Sequence, residues 1–298
     1  MPAPPPELNR YVSRDDLTAL IRRARDEDMG PNCRDVTSEL FIPADLRSSA
    51  RLVARASGRI AGLACLEVIT EAYDPSIGIT YHSQDGRTIR PGEAVATLTG
   101  PTRSLLSAER VLLNLLCHLS GVATLTARYV EQVAGTKARV YDTRKTIPGL
   151  RGLQKYAVAC GGGKTHRMGL YDAVLLKDNH LSHVVADDLS VAVRDAVKRC
   201  REHAPGLKFV MIEVDTLDQL EQVLPTGVDL VLLDNMTTQQ LVSAVAMRDQ
   251  SAPGVELEAS GGVTLQTIRA IAETGVDRIS VGALTHSAPA LDLGLDMS

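Results

Sequence analysis

Apolar positions follow two different rhythms along the chain, and the change falls near residue 137. Before it, residues 16–28 read as a charged helix. The stretch 48–100 then carries short alternating runs: "ARLVARASGRIAGL", "GITYHSQDGRTI" and "PGEAVATLTGP". Alternation at period two predicts half-buried strands, and Gln84-Asp85-Gly86 predicts a hairpin turn, because Gly accepts the positive φ of tight turns. "RSLLSAERVLLNLLCHLS" places leucines three and four apart, the spacing of a helix with one buried face.

After residue 137 come six short β-type runs: "ARVYDTRK", "DAVLLKDNH", "KFVMIEVD", "DLVLLDN", "VELEASGG" and "RISVGALTH". Segments such as "LSVAVRDAVKRCREHA", "TLDQLEQVL", "TTQQLVSAVAMRD" and "TLQTIRAIAETG" between them have helical spacing. Strand–helix alternation predicts parallel strands covered by helices. No GxGxxG follows the first strand, so a barrel fits better than a dinucleotide-binding sheet, and six strands predict an incomplete one. The expected architecture is α/β: a smaller N-terminal α/β sandwich domain over residues 1–115 and an incomplete parallel α/β barrel over 116–287. Residues 288–298 are expected to pack back onto the first domain.

Composition narrows the class. Of 298 residues, 44% are apolar and 23% charged, as in a soluble globular protein, and with no Trp and 2 Phe the core must be aliphatic. A net charge of -4 without a lysine-rich tail argues against nucleic acid as a partner. Five cysteines without CxxC spacing suggest reduced thiols, hence a cytoplasmic protein with neither a disulfide frame nor a zinc site. No continuous apolar run approaches the roughly 18 residues of a membrane span, so no membrane partner is expected. The proline-rich start has no apolar leader.

Chemistry in parallel barrels sits at the carboxyl ends of the strands. Here those ends read Arg144-Lys145; Lys177 with Asp178, Asn179 and His180; Glu213 and Asp215; Asp234-Asn235; Ser260-Gly261-Gly262; and Gly282 followed by His286. "GGGKTHRMGL" adds Lys164, His166 and Arg167. Cations come from the first two strands, carboxylates from the next two, glycine-rich turns from the last two. A cationic wall suits a polyanion, gripped by Arg in paired hydrogen bonds and by Lys as a point charge. Carboxylates opposite it make sense where a metal or a developing cation lies between. The glycine turns, ahead of helices expected near Thr264 and after Gly282, suit a phosphate. "ACGGGK" fails the P-loop order. "VVADDLS" reads as a helix cap, Cys160 as a buried thiol, and His118 as a core histidine.

"DTRKTIPGLRGLQKYAVACGGGKTHRMGL", with "DAVLLKDNH", "IEVD", "LLDN", "EASGG" and "ISVGALTHS", resembles the quinolinate phosphoribosyltransferase family from about Leu40 to Asp292. Thr165 stands where that family more often has Asn. The resemblance implies transfer of phosphoribosyl from phosphoribosyl pyrophosphate to quinolinate with decarboxylation, giving nicotinate mononucleotide, in NAD biosynthesis. It implies Mg²⁺ held by Glu213 and Asp234, no organic cofactor, and a homodimer that donates Arg110 across its interface, with further assembly left open. Arg110, Arg144, His166, Arg167 and Lys177 would bind quinolinate. Lys145 and Lys177 would face the pyrophosphate. Lys145, Lys177, Glu213 and Asp234 would act in catalysis, and Ser260, Gly261, Gly262, Gly282 and His286 would bind the 5′-phosphate. The rival readings are a paralogous transport-linked phosphoribosyltransferase-like protein, a nicotinate phosphoribosyltransferase and a non-catalytic anion binder.

Overall fold

The computed structural model describes residues 5–181, 188–204 and 206–297. Its strands are β1 (Arg47–Ala54), β2 (Gly58–Arg59), β3 (Gly78–Tyr81), β4 (Thr88–Ile89), β5 (Ala94–Pro101), β6 (Arg139–Tyr141), β7 (Val174–Leu176), β8 (Val210–Val214), β9 (Leu230–Asp234), β10 (Glu256–Ser260), β11 (Arg278–Ser280) and β12 (Leu293–Met297). Two compact units divide the chain. The first holds residues 1–127, 146–162 and 284–298, and the second 128–145 and 163–283. The division thus falls elsewhere than the expected cut after residue 115. That cut lies inside the helix Thr102–Gln132, and the helix Arg151–Cys160 belongs to the first unit.

In the first unit an antiparallel sheet runs β12–β1–β5–β3. β12, from the last residues of the chain, pairs with β1 from Ala50↔Met297 to Ala54↔Leu293. The helix Thr102–Gln132 is long and apolar enough to cross a bilayer by length and composition alone. However, Leu105, Leu112, Leu116, Leu119 and Val122 are each at most 1% exposed, which marks it as a core helix.

One local expectation fails here. Gln84–Gly86 does form a tight turn, with Arg87 N–H donating to Gln84 O (3.2 Å) and Gly86 at φ +84°. It joins no hairpin: β3 pairs with β5, and β4 with β2. Asp85 explains the difference. Its carboxylate is buried and accepts from the N–H groups of Leu63 (2.9 Å) and Ala64 (3.1 Å) and from Tyr156 Oη (2.5 Å). The turn is tied inward by these bonds and not by cross-strand pairing.

The second unit is a six-stranded, wholly parallel sheet in the order β6–β11–β10–β9–β8–β7. No pairing joins β6 to β7 among the described residues, so the barrel is incomplete, as expected. β6 does have a second neighbour: Lys164 N–H donates to Val140 O (2.8 Å) and Asp142 N–H to Lys164 O (3.1 Å), a one-residue parallel bridge. Covering helices start where capping chemistry stands. Thr216 and Thr237 open capping boxes with Gln219 and Gln240, and Asp188 accepts from Ser190 N–H (2.7 Å). Asp188 is thus the cap that "VVADDLS" predicts, while residues 182–187 lie outside the described set. The helix expected near Thr264 begins at Ile268, because residues 264–267 form a preceding turn with Thr264 N–H donating to Thr267 Oγ1.

Candidate active site

Side-chain alternation decides which residues share the barrel interior. On β7–β9 the inward positions are mostly apolar: Ala173, Phe209, Met211, Leu230 and Leu232 form one cluster with Leu175 against it. On β6, β10 and β11 they are polar. Arg278 on β11 bonds Glu256 and stacks on Tyr141, 4.8 Å from its ring centre, and Arg139 reaches Glu256 as well (2.7 Å). The polar half is affordable because nearly every charge there meets an opposite one or an aromatic face.

Above this floor, the same face of the next strands carries Lys177, Glu213, Asp234 and Ser260. The Lys177 ammonium donates to the Glu213 carboxylate, with side chains 42% and 17% exposed. Ser260 stands in register with Asp234. Asp234 accepts from the Asn235 side-chain amide (2.7 Å), and Asn235 N–H donates to Ser260 O (2.9 Å). Asn235 has φ +53°, uncommon for a residue with a side chain. Gly261 has φ +97°, and a Cβ there would lie 2.1 Å from Asn235 Oδ1. Backbone and side chains at these two strand ends therefore interlock.

The cationic wall forms at the tip of β6 and in the loop after it. Asp142, fully buried, accepts from His166 N–H (2.8 Å) and so ties the tip to the loop. Arg167 is 8% exposed and donates to Ala173 O (3.1 Å); burial, then the nearby Arg144, lowers its pKa. A buried guanidinium with a second one nearby suits an anion that lies between them. Lys145 is exposed beside Arg144. Lys164 is exposed, its backbone held in the β6 bridge.

His166 lies in the same loop, beside Arg167. It is 7% exposed; its Nδ1 accepts from Arg167 N–H (2.8 Å), and its Nε2 lies 3.5 Å from Glu258 Oε1. Both ring nitrogens are directed into the protein. Glu258 is the residue that the strand-tip reading passes over, and Asn235, which it names, is given no role there. The alternation V-E-L-E-A-S already puts Glu256, Glu258 and Ser260 on one face, so the signal for Glu258 is present in the sequence.

Gly261 and Gly262 are exposed and, with Ser260 and Gly282, belong to the second unit. Arg110 and His286 belong to the first, both exposed, with His286 Nδ1 2.6 Å from Ser287 Oγ. The side chain of Asp178 is outside the described set. Among the described residues no three His, Cys, Asp or Glu side chains group as metal ligands. Glu213 and Asp234 on adjacent strands fit Mg²⁺ brought in on a diphosphate, since that ion takes one or two protein carboxylates and fills its shell with substrate and water oxygens.

An incomplete parallel barrel with a cationic wall facing carboxylates and glycine turns defines a transferase for phosphorylated, anionic substrates. Sequence profiles then fix the lineage: residues 35–120 match the quinolinate phosphoribosyl transferase N-terminal domain and residues 122–296 its C-terminal domain. The nicotinate-nucleotide pyrophosphorylase [carboxylating] of Mycobacterium leprae is 45% identical over 279 residues, 93% of this chain and 95% of that protein. Quinolinate phosphoribosyltransferase [decarboxylating] 1b of Nicotiana tabacum is 39% identical, covering 94% and 82%. The solved nicotinate-nucleotide pyrophosphorylase of Francisella tularensis superposes with TM-score 0.87 at 36% identity, over 99% of this chain and all of that one. The chain belongs to the quinolinate phosphoribosyl transferase family and is a phosphoribosyltransferase of pyridine-nucleotide biosynthesis.

Proposed function

We propose that the chain joins quinolinate to phosphoribosyl pyrophosphate, releasing pyrophosphate and CO₂ and leaving nicotinate mononucleotide, at the carboxyl ends of β6–β11. The observation that carries the residue assignment is the order of charge along one face: Lys177, Glu213, Asp234 and Ser260 on successive strands, beside Arg144 and Arg167. Arg144, Arg167 and Lys177 hold the two carboxylates of quinolinate, joined by Arg110 of a second copy in a homodimer. Ser260, Gly261, Gly262 and Gly282 receive the 5′-phosphate. Mg²⁺ travels with the pyrophosphate as part of the substrate and neutralises its charge. The protein works in the cytoplasm.

The ring nitrogen's lone pair forms the bond to ribose C1 as the bond from C1 to pyrophosphate oxygen breaks. Positive charge then develops on the ribose. Glu213 and Asp234 face that charge, an effect of order ~3 kcal/mol per well-placed group in a preorganised site. Lys145 and Lys177 face the leaving diphosphate. The alkylated nitrogen is cationic, so the electron pair left when the neighbouring carboxylate departs as CO₂ stays on the ring carbon beside it. A proton from water completes the product, and the substrate serves as its own electron sink.

The test is product formation from quinolinate, phosphoribosyl pyrophosphate and Mg²⁺, followed as nicotinate mononucleotide and CO₂, with nicotinate as parallel substrate. Turnover of quinolinate alone, abolished in Arg144→Ala, is the expected result. A folded protein that turns over neither substrate overturns the proposal.

A further inference from the structure

The helix Arg151–Cys160 of the first unit carries a wholly buried amide that the proposed reaction does not use. Gln154 Oε1 accepts from Ile147 N–H (3.0 Å), while Gln154 Nε2 donates to Thr285 O (2.7 Å) and lies 3.0 Å from His118 Nε2. A backbone N–H can only donate and a carbonyl can only accept, so these two partners fix which end of the amide is which. The same logic reaches His118. Gln154 Nε2 offers hydrogens alone, so His118 Nε2 is the acceptor and the ring carries its proton on Nδ1. Burial lowers the pKa of His118 and favours that neutral ring. A buried amide is costly unless it is bonded, and here all three bonds leave its own helix.

The two backbone partners stand at particular places in the chain. The chain returns from the second unit to the first at Thr146 and again at Leu284. Ile147 and Thr285 are each the second residue past such a return. Lys145 immediately precedes the first return, and Gly282 stands two residues before the second. One side chain thus fastens both returns together, by bonds that lie wholly within the first unit. The same helix adds a second tie at the first return, where Arg151 Nε donates to Thr146 Oγ1 (3.1 Å). Leu150 N–H donates to Ile147 O (3.0 Å) and closes the turn that leads into the helix.

We infer that Gln154 is a positioning residue for the proposed reaction: its buried amide fastens the segment after Lys145 to the segment after Gly282, and so fixes where the cationic tip of β6 and the glycine turn after β11 end. His118, neutral and accepting, is the third partner of that amide. An apolar side chain in its place leaves Ile147 N–H without its acceptor, and the segment then shifts until water can supply one. Arg144 and Lys145, at most three residues upstream, lose a fixed backbone. Gly282, three residues before Thr285, loses one as well. The inference rests on the proposed binding of quinolinate at Arg144 and of phosphate at Gly282.

Two readouts on the full-length chain keep the inference separable from that reading. In steady-state kinetics, Gln154→Leu is expected to raise KM for quinolinate and KM for phosphoribosyl pyrophosphate, each about fivefold or more, because one side chain holds both segments. A merely structural role would lower the folded fraction, and with it the apparent kcat, and leave both KM values as in the wild type. That outcome, or a rise in one KM alone, overturns the inference. The second readout needs no turnover. Hydrogen exchange at the Ile147 amide is expected to be about tenfold or more faster in Gln154→Leu than in the wild type, and ring ¹⁵N shifts of His118 are expected to show the Nδ1–H tautomer in the wild type. Unchanged exchange at Ile147, or an Nε2–H tautomer in the wild type, also overturns it. Should Gln154→Leu fail to fold, Gln154→Met, of similar length and equally without an amide, takes its place in both measurements. Absence of quinolinate turnover in the wild type overturns the functional reading alone and leaves exchange at Ile147 to decide the role of Gln154.

Discussion

Lys177 and Glu213 stand at the ends of neighbouring parallel strands, and the ammonium of one donates to the carboxylate of the other. With Lys177 partly open to solvent, such a pair adds about 1 kcal/mol or less to stability. Its worth lies in holding a cation and an anion at fixed places beside a reacting diphosphate. Lys177→Met is therefore expected to leave the melting temperature nearly unchanged while lowering kcat about 100-fold or more. Melting curves and initial rates on the same preparation check this; an equal loss of both would make the pair structural.

Gly261 cannot take a side chain. A Cβ would sit 2.1 Å from Asn235 Oδ1, at a φ of +97° that side chains rarely adopt. Gly261→Ala must displace Asn235, and with it the bonds to Asp234 and Ser260. The expected outcome is a loss of about 1–3 kcal/mol of stability together with a raised KM for phosphoribosyl pyrophosphate. Gly262 has nothing within 4 Å of its would-be Cβ, so Gly262→Ala, strained only in its backbone, is the milder comparison.

Glu258 makes stability depend on pH with a definite sign. Its folded pKa of about 7 lies above the ordinary 4.5. Below 4.5 the group is protonated in both states, and stability is highest with respect to it. Between 4.5 and 7 the unfolded chain gives up the proton while the native state keeps it, so stability falls, by on the order of 3 kcal/mol in all. Glu258→Gln removes this slope. Melting temperatures measured across that window should diverge, the variant becoming the more stable as pH rises.

In the first unit, Tyr156→Phe removes the hydroxyl that donates to Asp85 at 2.5 Å. Asp85 then keeps only backbone donors for a buried carboxylate. A loss of about 1–3 kcal/mol in denaturant unfolding is expected, with KM for quinolinate unchanged.

Much of this was legible before any coordinates. Six short β-type runs give the six parallel strands, continuously apolar in β8 and β9 and alternating in β10, and their polar ends mark the candidate site. The turn at Gln84–Gly86 misleads because turn chemistry states only that the chain reverses, not which strands then pair. Asp85 chose the partners through contacts with residues 22 and 71 positions away. The setting of the His166 ring has a related, non-local cause: its Nδ1 accepts from its own neighbour's amide, and its Nε2 lies 3.5 Å from Glu258 Oε1, 92 positions later in the sequence. The inward glutamates of β10 are visible as alternation, but charged residues inside a strand look like a solvated face until the opposite strand is known to close over them.

The one-residue bridge between Lys164 and β6 has a consequence outside catalysis. A barrel left unclosed exposes a row of unpaired amides and carbonyls, on which a second molecule can build sheet. On β6 that row is taken by the backbone of Lys164 at Val140 and Asp142. The loop that carries His166 and Arg167 is thus also a guard strip. Substitutions that loosen it should show first as turbidity in concentrated stocks, with the folded fraction still able to work.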